Sequence, residues 1–263
     1  MGQEEFYGQK EIPQEEIERL KQIEYPNYVS ETLLQGFDLK GKKILDAGAG
    51  PNSGLAEFIQ TEGGIYVPLD LRGDVLKEMG DKLKDSEVPF RGVRGDVKVL
   101  PFKDESFDLV HQRFVLMNVL SKSRPEVLRE ALRVGKDALL FIEYNWRTLH
   151  SSESPEVIEE FRDLAFQMFS RFSTDPYMGE KFGALFREVD PKLNYTLRSF
   201  RREEDEANTP ELLLNLRGFY RGAKDFLRDD AMAGKFEKLI ESLEKKPIKF
   251  VPPEIVAAIV RKP

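Results

Sequence analysis

The residues whose types and spacing could do chemistry are the run Gly48-Ala49-Gly50-Pro51-Asn52-Ser53-Gly54 and the acids Asp46, Asp70 and Asp96. Glycine has no Cβ, so the backbone can take left-handed angles and let a ligand come close, and a helix starting just beyond adds unpaired amides. Asp70 follows Gly48 at about the 20-residue spacing at which an acid reaches ribose hydroxyls, and an ionised carboxylate accepts from both hydroxyls together. Asp96, in Gly95-Asp96-Val97, offers an acceptor for the exocyclic amine of a purine. The glycine run is one residue longer before its last glycine than Gly-x-Gly-x-x-Gly. A strand-to-helix turn that merely needs glycines, with aspartates capping later turns, is the competing reading. That reading leaves the coincidence of glycine turn and acids unexplained, so a nucleotide-like ligand is favoured.

An alternation of elements must position these residues. Residues 43–47, 64–70, the run ending at 93–96, 107–111 and 138–143 read as strands. Between them Leu55 to Ile59, Val75 to Leu83 and the group Val127, Leu128, Ala131 and Leu132 follow helical spacing. The pattern predicts a parallel sheet covered on both faces, its strand ends converging on one crevice. Upstream, Ile17, Leu20 and Ile23, then Val29, Leu33 and Leu34, predict two amphipathic helices interrupted near Tyr25-Pro26. Beyond Asn145, residues 155–172, 210–227 and 236–243 read as helices, 195–200 and 254–260 as strands, and the charged run 201–206 as a solvated connector.

Composition narrows the function classes. The chain has 263 residues, 40% hydrophobic and 33% charged, enough for one sizeable domain with an elaboration. Forty basic against forty-seven acidic residues give a net charge of −7, which argues against general attraction to nucleic acid or anionic membranes. With no cysteine there is no disulfide framework or thiolate site, and two histidines, His111 and His150, argue against a histidine-rich metal site. His111 reads as a satisfied strand residue and His150 as a loop residue. No apolar run approaches membrane-spanning length and the start lacks a signal-peptide pattern, so a cytoplasmic protein is expected.

Four motifs in order resemble the class I S-adenosylmethionine-dependent methyltransferases. They are Ile44-Leu45-Asp46-Ala47-Gly48-Ala49-Gly50, Leu69-Asp70, Gly95-Asp96-Val97 with Leu100-Pro101-Phe102, and Ser106-Phe107-Asp108-Leu109-Val110 leading into Arg113-Phe114-Val115-Leu116. Arg19-Leu20, Asp175-Pro176 with Gly179, and the ending Pro252-Pro253-Glu254-Ile255-Val256-Ala257 look like the branch related to quinone-biosynthesis C-methyltransferases and their small-molecule relatives. The resemblance implies a Rossmann-like, seven-stranded, mostly parallel α/β sheet with helices on both faces, an antiparallel last strand and a helical cap. It divides the chain into N-terminal helices (1–42), a cofactor core (43–150), cap insertions with one core strand (151–250) and a final core strand (251–263).

The resemblance also implies that Gly48 and Gly50 approach the methionine part of S-adenosylmethionine, with Asp46 at the end of the strand before them, and that Asp70 binds the ribose. Asp96 with the Val97 amide would read adenine, Leu71 would pack on that ring, and Gln112 and Arg113 would border the methionine end or the acceptor. Asn52 stands where a further glycine is frequent and is a candidate donor to the ligand. Lys136-Asp137 replaces a frequent Pro-Gly pair and is read as a turn variant.

Glu143, Asn145 and Trp146, at the end of the fifth strand, are candidates for the acceptor side. For Glu143 a capping or ion-paired acid is an equal reading, and Trp146 reads first as a core or lid anchor. No residue is assigned a catalytic role, since the sulfonium supplies the electrophile and the protein's task is to align a nucleophile in line with the methyl group. Aromatics of the cap, among them Phe161, Phe169 and Phe219, suggest a small, apolar or aromatic acceptor. Gln112-Arg113-Phe114 in place of Asn/Asp-Pro-Pro-aromatic argues against methylation of nucleic-acid bases. A nicotinamide-dependent oxidoreductase, which leaves Asp96 unexplained, and a non-catalytic cofactor-binding regulator are the alternatives. Oligomeric state stays open.

Overall fold

In the computed structural model, which describes residues 14–21, 25–86 and 88–262, seven strands form one sheet in the order β3-β2-β1-β4-β5-β7-β6. The strands are β1 (Lys43–Ala47), β2 (Ile65–Asp70), β3 (Val93–Arg94), β4 (Phe107–Arg113), β5 (Gly135–Asn145), β6 (Tyr195–Phe200) and β7 (Glu254–Arg261). β1 through β5 run parallel, while β7 is inserted between β5 and β6 and is antiparallel to both. The expected seven-stranded, mostly parallel sheet is the one observed.

Apolar side chains on both faces explain why the central strands read as continuous hydrophobic runs. On β5, Leu139 and Phe141 enter one core, and Ala138, Leu140 and Ile142 enter the other. The first core is closed by α5 (Arg124–Val134) and α7 (Met178–Val189), and the second by α2 (Tyr25–Leu34), α3 (Gly54–Thr61) and α4 (Gly73–Leu83). α1 (Gln14–Lys21) precedes them. Ile23, part of the predicted N-terminal periodicity, lies outside the described residues. Pro26 is tolerated because it sits in the first turn of α2, where its missing amide has no intrahelical partner.

A third core belongs to the cap: α6 (Pro155–Arg171), α8 (Thr209–Arg221) and α9 (Asp230–Lys245) gather Trp146, Phe161, Phe169 and Phe236. α8 runs straight into one π-helical turn, Gly222–Phe226.

Two elements differ from the sequence expectation, and a third is more constrained than expected. α7 was not anticipated, and it buries Met178, Phe182, Leu185 and Phe186 along one stripe. The run 201–206 is the mostly exposed connector expected, but it is tethered. Arg201 Nε donates to Glu254 Oε2 at 2.6 Å, Arg202 pairs with Glu211, and Glu204 accepts from both the amide and the hydroxyl of Ser152. Opposite charges brought in by β7, α8 and the segment after β5 pin the run down. Lys136-Asp137 forms no turn, because α5 passes directly into β5 at Gly135. Among the described residues no helix is long and apolar enough to cross a membrane, and no cluster of His, Asp and Glu could hold a metal ion.

Candidate active site

Gly48, Gly50, Asn52, Asp70, Leu71, Asp96, Val97 and Arg113 line one cavity of about 960 Å³ at the carboxyl ends of the parallel strands. Gly48 has φ +89° and Gly50 φ +64°. A Cβ on Gly48 would lie 2.3 Å from Val115 Cγ2, so a larger residue there must displace the segment after β4. The amides of Gly48 and Ala49 donate to Leu69 O at 2.7 and 3.0 Å, and that of Gly50 to Asp70 Oδ2 at 2.9 Å. With its amides engaged, the turn presents a ligand with closely approachable backbone rather than free donors.

Asp70 Oδ1 accepts the Arg72 amide at 3.0 Å, and both oxygens keep acceptor capacity for a pair of hydroxyls. Burial pushes its carboxyl above the usual range, against the pull of the Arg72 and Gly50 amides. Leu71 is 45% exposed, a large apolar side chain left uncovered on the cavity rim. Asp96 Oδ1 takes the Lys98 amide at 2.9 Å, and its Oδ2 lies 3.4 Å from the Lys98 ammonium. Asn52 Oδ1 accepts the Gly54 amide at 2.9 Å.

Two of the residues predicted for the cofactor do not line the cavity. Asp46 is buried at the end of β1, with Oδ2 accepting the Tyr66 hydroxyl at 2.7 Å and Oδ1 2.7 Å from His111 Nδ1. Burial raises its carboxyl pKa, but His111, Arg113 and Tyr66 outweigh that and hold it below the usual value. His111 Nε2 is 3.1 Å from Ser30 Oγ, so the chain Ser30–His111–Asp46–Tyr66 ties α2 to β1 and β2. Arg113, by contrast, reaches the cavity and donates to Asn27 Oδ1 at 2.6 Å. Gln112 is fully buried outside the lining, and its amide nitrogen and oxygen have no partner.

Of the acceptor-side candidates only Trp146 lines the cavity. It packs against Phe169 with ring centroids 4.9 Å apart, and its indole N–H is buried without a partner. Glu143 caps the short helix Leu116–Asn118, its Oε1 accepting the Leu116 and Met117 amides at 2.6 and 3.3 Å. Burial pushes its carboxyl up to about 8, with those two amides opposing. Asn145 links β5 to β7 by donating to Glu254 Oε1 at 2.9 Å.

The cavity continues into the cap through residues that sequence reasoning passed over. Tyr144 stacks on Phe114 at 4.2 Å with ring planes 6° apart. Arg19 Nη1 donates to Asn215 Oδ1 at 3.0 Å, and Arg202 Nη1 to Glu211 Oε2 at 2.7 Å. Five different elements or loops supply these side chains, so no local spacing could have flagged them. The one signal was the alternation of strand ends, which placed Tyr144 beside the candidates already singled out.

The methyltransferase-domain family (Methyltransf_11) matches residues 45–142, the stretch holding β1 to β5 and the predicted motifs. The ubiquinone/menaquinone biosynthesis C-methyltransferase UbiE of Idiomarina loihiensis is 35% identical over 112 residues, 40% of this chain and 44% of that protein. UbiE of Stutzerimonas stutzeri is 30% identical over 187 residues, 69% of this chain and 66% of that one. The first of these alignments thus spans less than half of its relative. Among solved structures, the YcgJ protein of Bacillus subtilis shares the fold with a TM-score of 0.58 at 18% identity, covering 90% of this chain and 99% of the other. None of this supports the nicotinamide or non-catalytic alternatives. Residues 45–142 thus match the methyltransferase-domain family, and the chain is similar there and beyond to the ubiquinone/menaquinone C-methyltransferases.

Proposed function

We propose that the chain moves a methyl group from S-adenosylmethionine to a small, apolar or aromatic molecule. The observation that carries this reading is the continuity of one cavity, which joins the Gly48 turn and Asp70 to an aromatic chamber lined by Trp146, Phe161, Phe169 and Phe219. The residues fit the donor. Gly50 leaves open space where a Cβ would stand, Asp70 keeps acceptor capacity for two hydroxyls, and Leu71 is an apolar face awaiting a ring. In this assignment Gly48 and Gly50 border the methionine part, Asp70 holds the ribose, and Asp96, Val97 and Leu71 surround adenine. Asp46 supports the turn from beneath through Tyr66 and His111.

Bound there, S-adenosylmethionine supplies a strongly electrophilic methyl group. The chain's own task is to orient the acceptor against it and to exclude water. Phe114 and Tyr144, stacked between the two halves of the cavity, are suited to set that distance. The carboxylates lining the cap half are Asp225 and Glu211, the latter paired with Arg202, and both histidines lie outside the lining. The assignment includes a cytoplasmic location, where the donor is made, which cell fractionation checks.

Calorimetric titration with S-adenosylhomocysteine tests the reading. The dialysed protein should bind it, Asp70→Ala should bind at least about tenfold more weakly, and reduced nicotinamide nucleotide should not bind. Folded protein that ignores S-adenosylhomocysteine would end the methyl-transfer reading.

A further inference from the structure

We propose that Arg113 takes the carboxylate at the amino-acid end of S-adenosylmethionine, and that Asn27 of α2 holds its guanidinium in the plane this requires. The role of Arg113 rests on the methyl-transfer reading, because the carboxylate belongs to that ligand.

Strand order gives the direction in which the ligand must lie. Asp96 follows β3, Asp70 ends β2 and the Gly48 turn leaves β1, so adenine, ribose and the sites beyond them would follow neighbouring strand ends in that order. The next strand end in the sheet is that of β4, about 4.8 Å further on, and Arg113 closes it. Asp46 of β1 pairs with His111 of β4, which brings Arg113, two residues on, level with the Gly48 turn.

A carboxylate at this end needs hydrogen-bond donors, and the turn has none free. The amides of Gly48 and Ala49 are engaged by Leu69 O, and that of Gly50 by Asp70 Oδ2. Arg113 has donors to give. Among the described residues its hydrogen bonds all come from Nη1, to Asn27 Oδ1 at 2.6 Å and Ser30 Oγ at 3.4 Å. Nε and Nη2 make none and stay accessible, and the side chain lines the cavity. Those two nitrogens are an edge of the guanidinium that can grip a carboxylate with two parallel bonds. Asp46 and Glu31 offset the charge of the group from within the fold without a hydrogen bond to it. What stands open is therefore donor capacity in a fixed plane, not excess charge.

Asn27 fixes that plane. Its side chain reaches from Arg113 to the start of α3, where a Cβ on Gly54 would lie 3.4 Å from Asn27 Nδ2. Nearer adenine and ribose, Arg72 is paired with Asp74 and Lys98 with Asp96. Arg19 enters the cavity from α1 on the cap side, donating to Asn215 of α8.

The test compares S-adenosylhomocysteine with S-adenosyl-3-thiopropylamine, the same molecule without its carboxylate, by calorimetry on dialysed protein. Wild type should bind the amino acid at least about tenfold more tightly than the amine. Arg113→Gln should remove most of that preference without weakening the amine, whose binding shows that the site is folded. Asn27→Ala, which keeps the guanidinium and releases its plane, should lower the preference at least about threefold, and it decides the matter if Arg113→Gln does not fold. Equal affinity of wild type for the two ligands would overturn the proposal. So would a preference undiminished in both variants, or one that survives Arg113→Gln and is lost in Arg19→Gln. Folded wild type that binds neither ligand would instead overturn the methyl-transfer reading itself.

Discussion

Gly48 and Glu143 show two ways in which a single residue governs this cavity. At Gly48 the constraint is steric, because φ +89° and the Val115 methyl 2.3 Å from a would-be Cβ both exclude a side chain. Gly48→Ala should therefore weaken S-adenosylhomocysteine binding at least about tenfold, since strain of about 1–3 kcal/mol at such a position is relieved by moving the turn or residue 115. An unchanged dissociation constant would show that the approach is looser than it looks. At Glu143 the constraint is protonic. The folded chain keeps this carboxyl protonated up to about 8, whereas its ordinary value is 4.5, so folding takes up a proton between those limits. Stability then falls as pH rises through that window, and the deficit is complete above it. Glu143→Gln retains an acceptor for the Leu116 amide and has no proton to lose. Its Tm should match wild type near about pH 5 and exceed it near about pH 9. Identical melting curves at the higher pH would refute the assignment. Asp70 and Asp96 were legible because each closes a short strand next to a glycine turn. Glu143 also stands near the carboxyl end of a strand, and only the fold shows that its oxygen faces the amides of Leu116 and Met117 instead of the cavity.

At the scale of elements, the segment after β4 decides how the cofactor half is closed. Arg124 Nε donates to Leu116 O at 2.9 Å, and its Nη1 meets Asp175 Oδ2 at 2.8 Å, the Arg124 and Asp175 side chains being only 8% and 12% exposed. Arg124→Ala takes one of two cations from Asp175, which keeps Lys181 and the Tyr177 amide, and removes a donor from the Leu116 and Val119 carbonyls, so it should cost about 1–3 kcal/mol of stability, read as a lower denaturant midpoint. S-adenosylhomocysteine affinity should fall with it, because Val115 packs against the glycine turn from this segment. The strand–helix alternation of the core was readable because each run is short, apolar and bounded by turn residues. α7 was not, since Gly179 and Gly183 dilute its helical preference, and only packing on β5 and β7 makes the stripe from Met178 to Phe186 coherent. Gly179 is needed there: a Cβ would come within 3.1 Å of Tyr144 O and 3.0 Å of Val256 Cγ2.

For the whole molecule, the cavity couples two parts that could otherwise be separate. Phe219 belongs to the cap part, touching Trp146, Phe161, Phe169 and Phe236 through ring contacts of 5.4–6.4 Å. Phe219→Ala should cost about 3 kcal/mol and raise KM for apolar acceptors while S-adenosylhomocysteine affinity is kept. If KM stays and cofactor affinity drops, the division of the cavity is misplaced. Sequence reasoning saw the aromatic wall as a set of helix residues and Arg113 as a bordering residue, but did not place Arg19 and Arg202 in the cavity. Those come from α1 and the charged run before α8, and nothing in their local sequence says that they meet.

The place of β7 has a consequence for how the molecule comes into being. Asn145 and Glu254, joined side by side, are 109 residues apart in the chain. During synthesis β5 must therefore wait with a bare edge, apolar on both faces from Ala138 to Ile142, while the entire cap is made, and β6 has no neighbour at all until β7 emerges. A ribosome-bound chain stopped just before β7 should carry a finished cofactor half beside an open, adhesive sheet edge, and be held by chaperones until the last segment slides between the two strands and seals it.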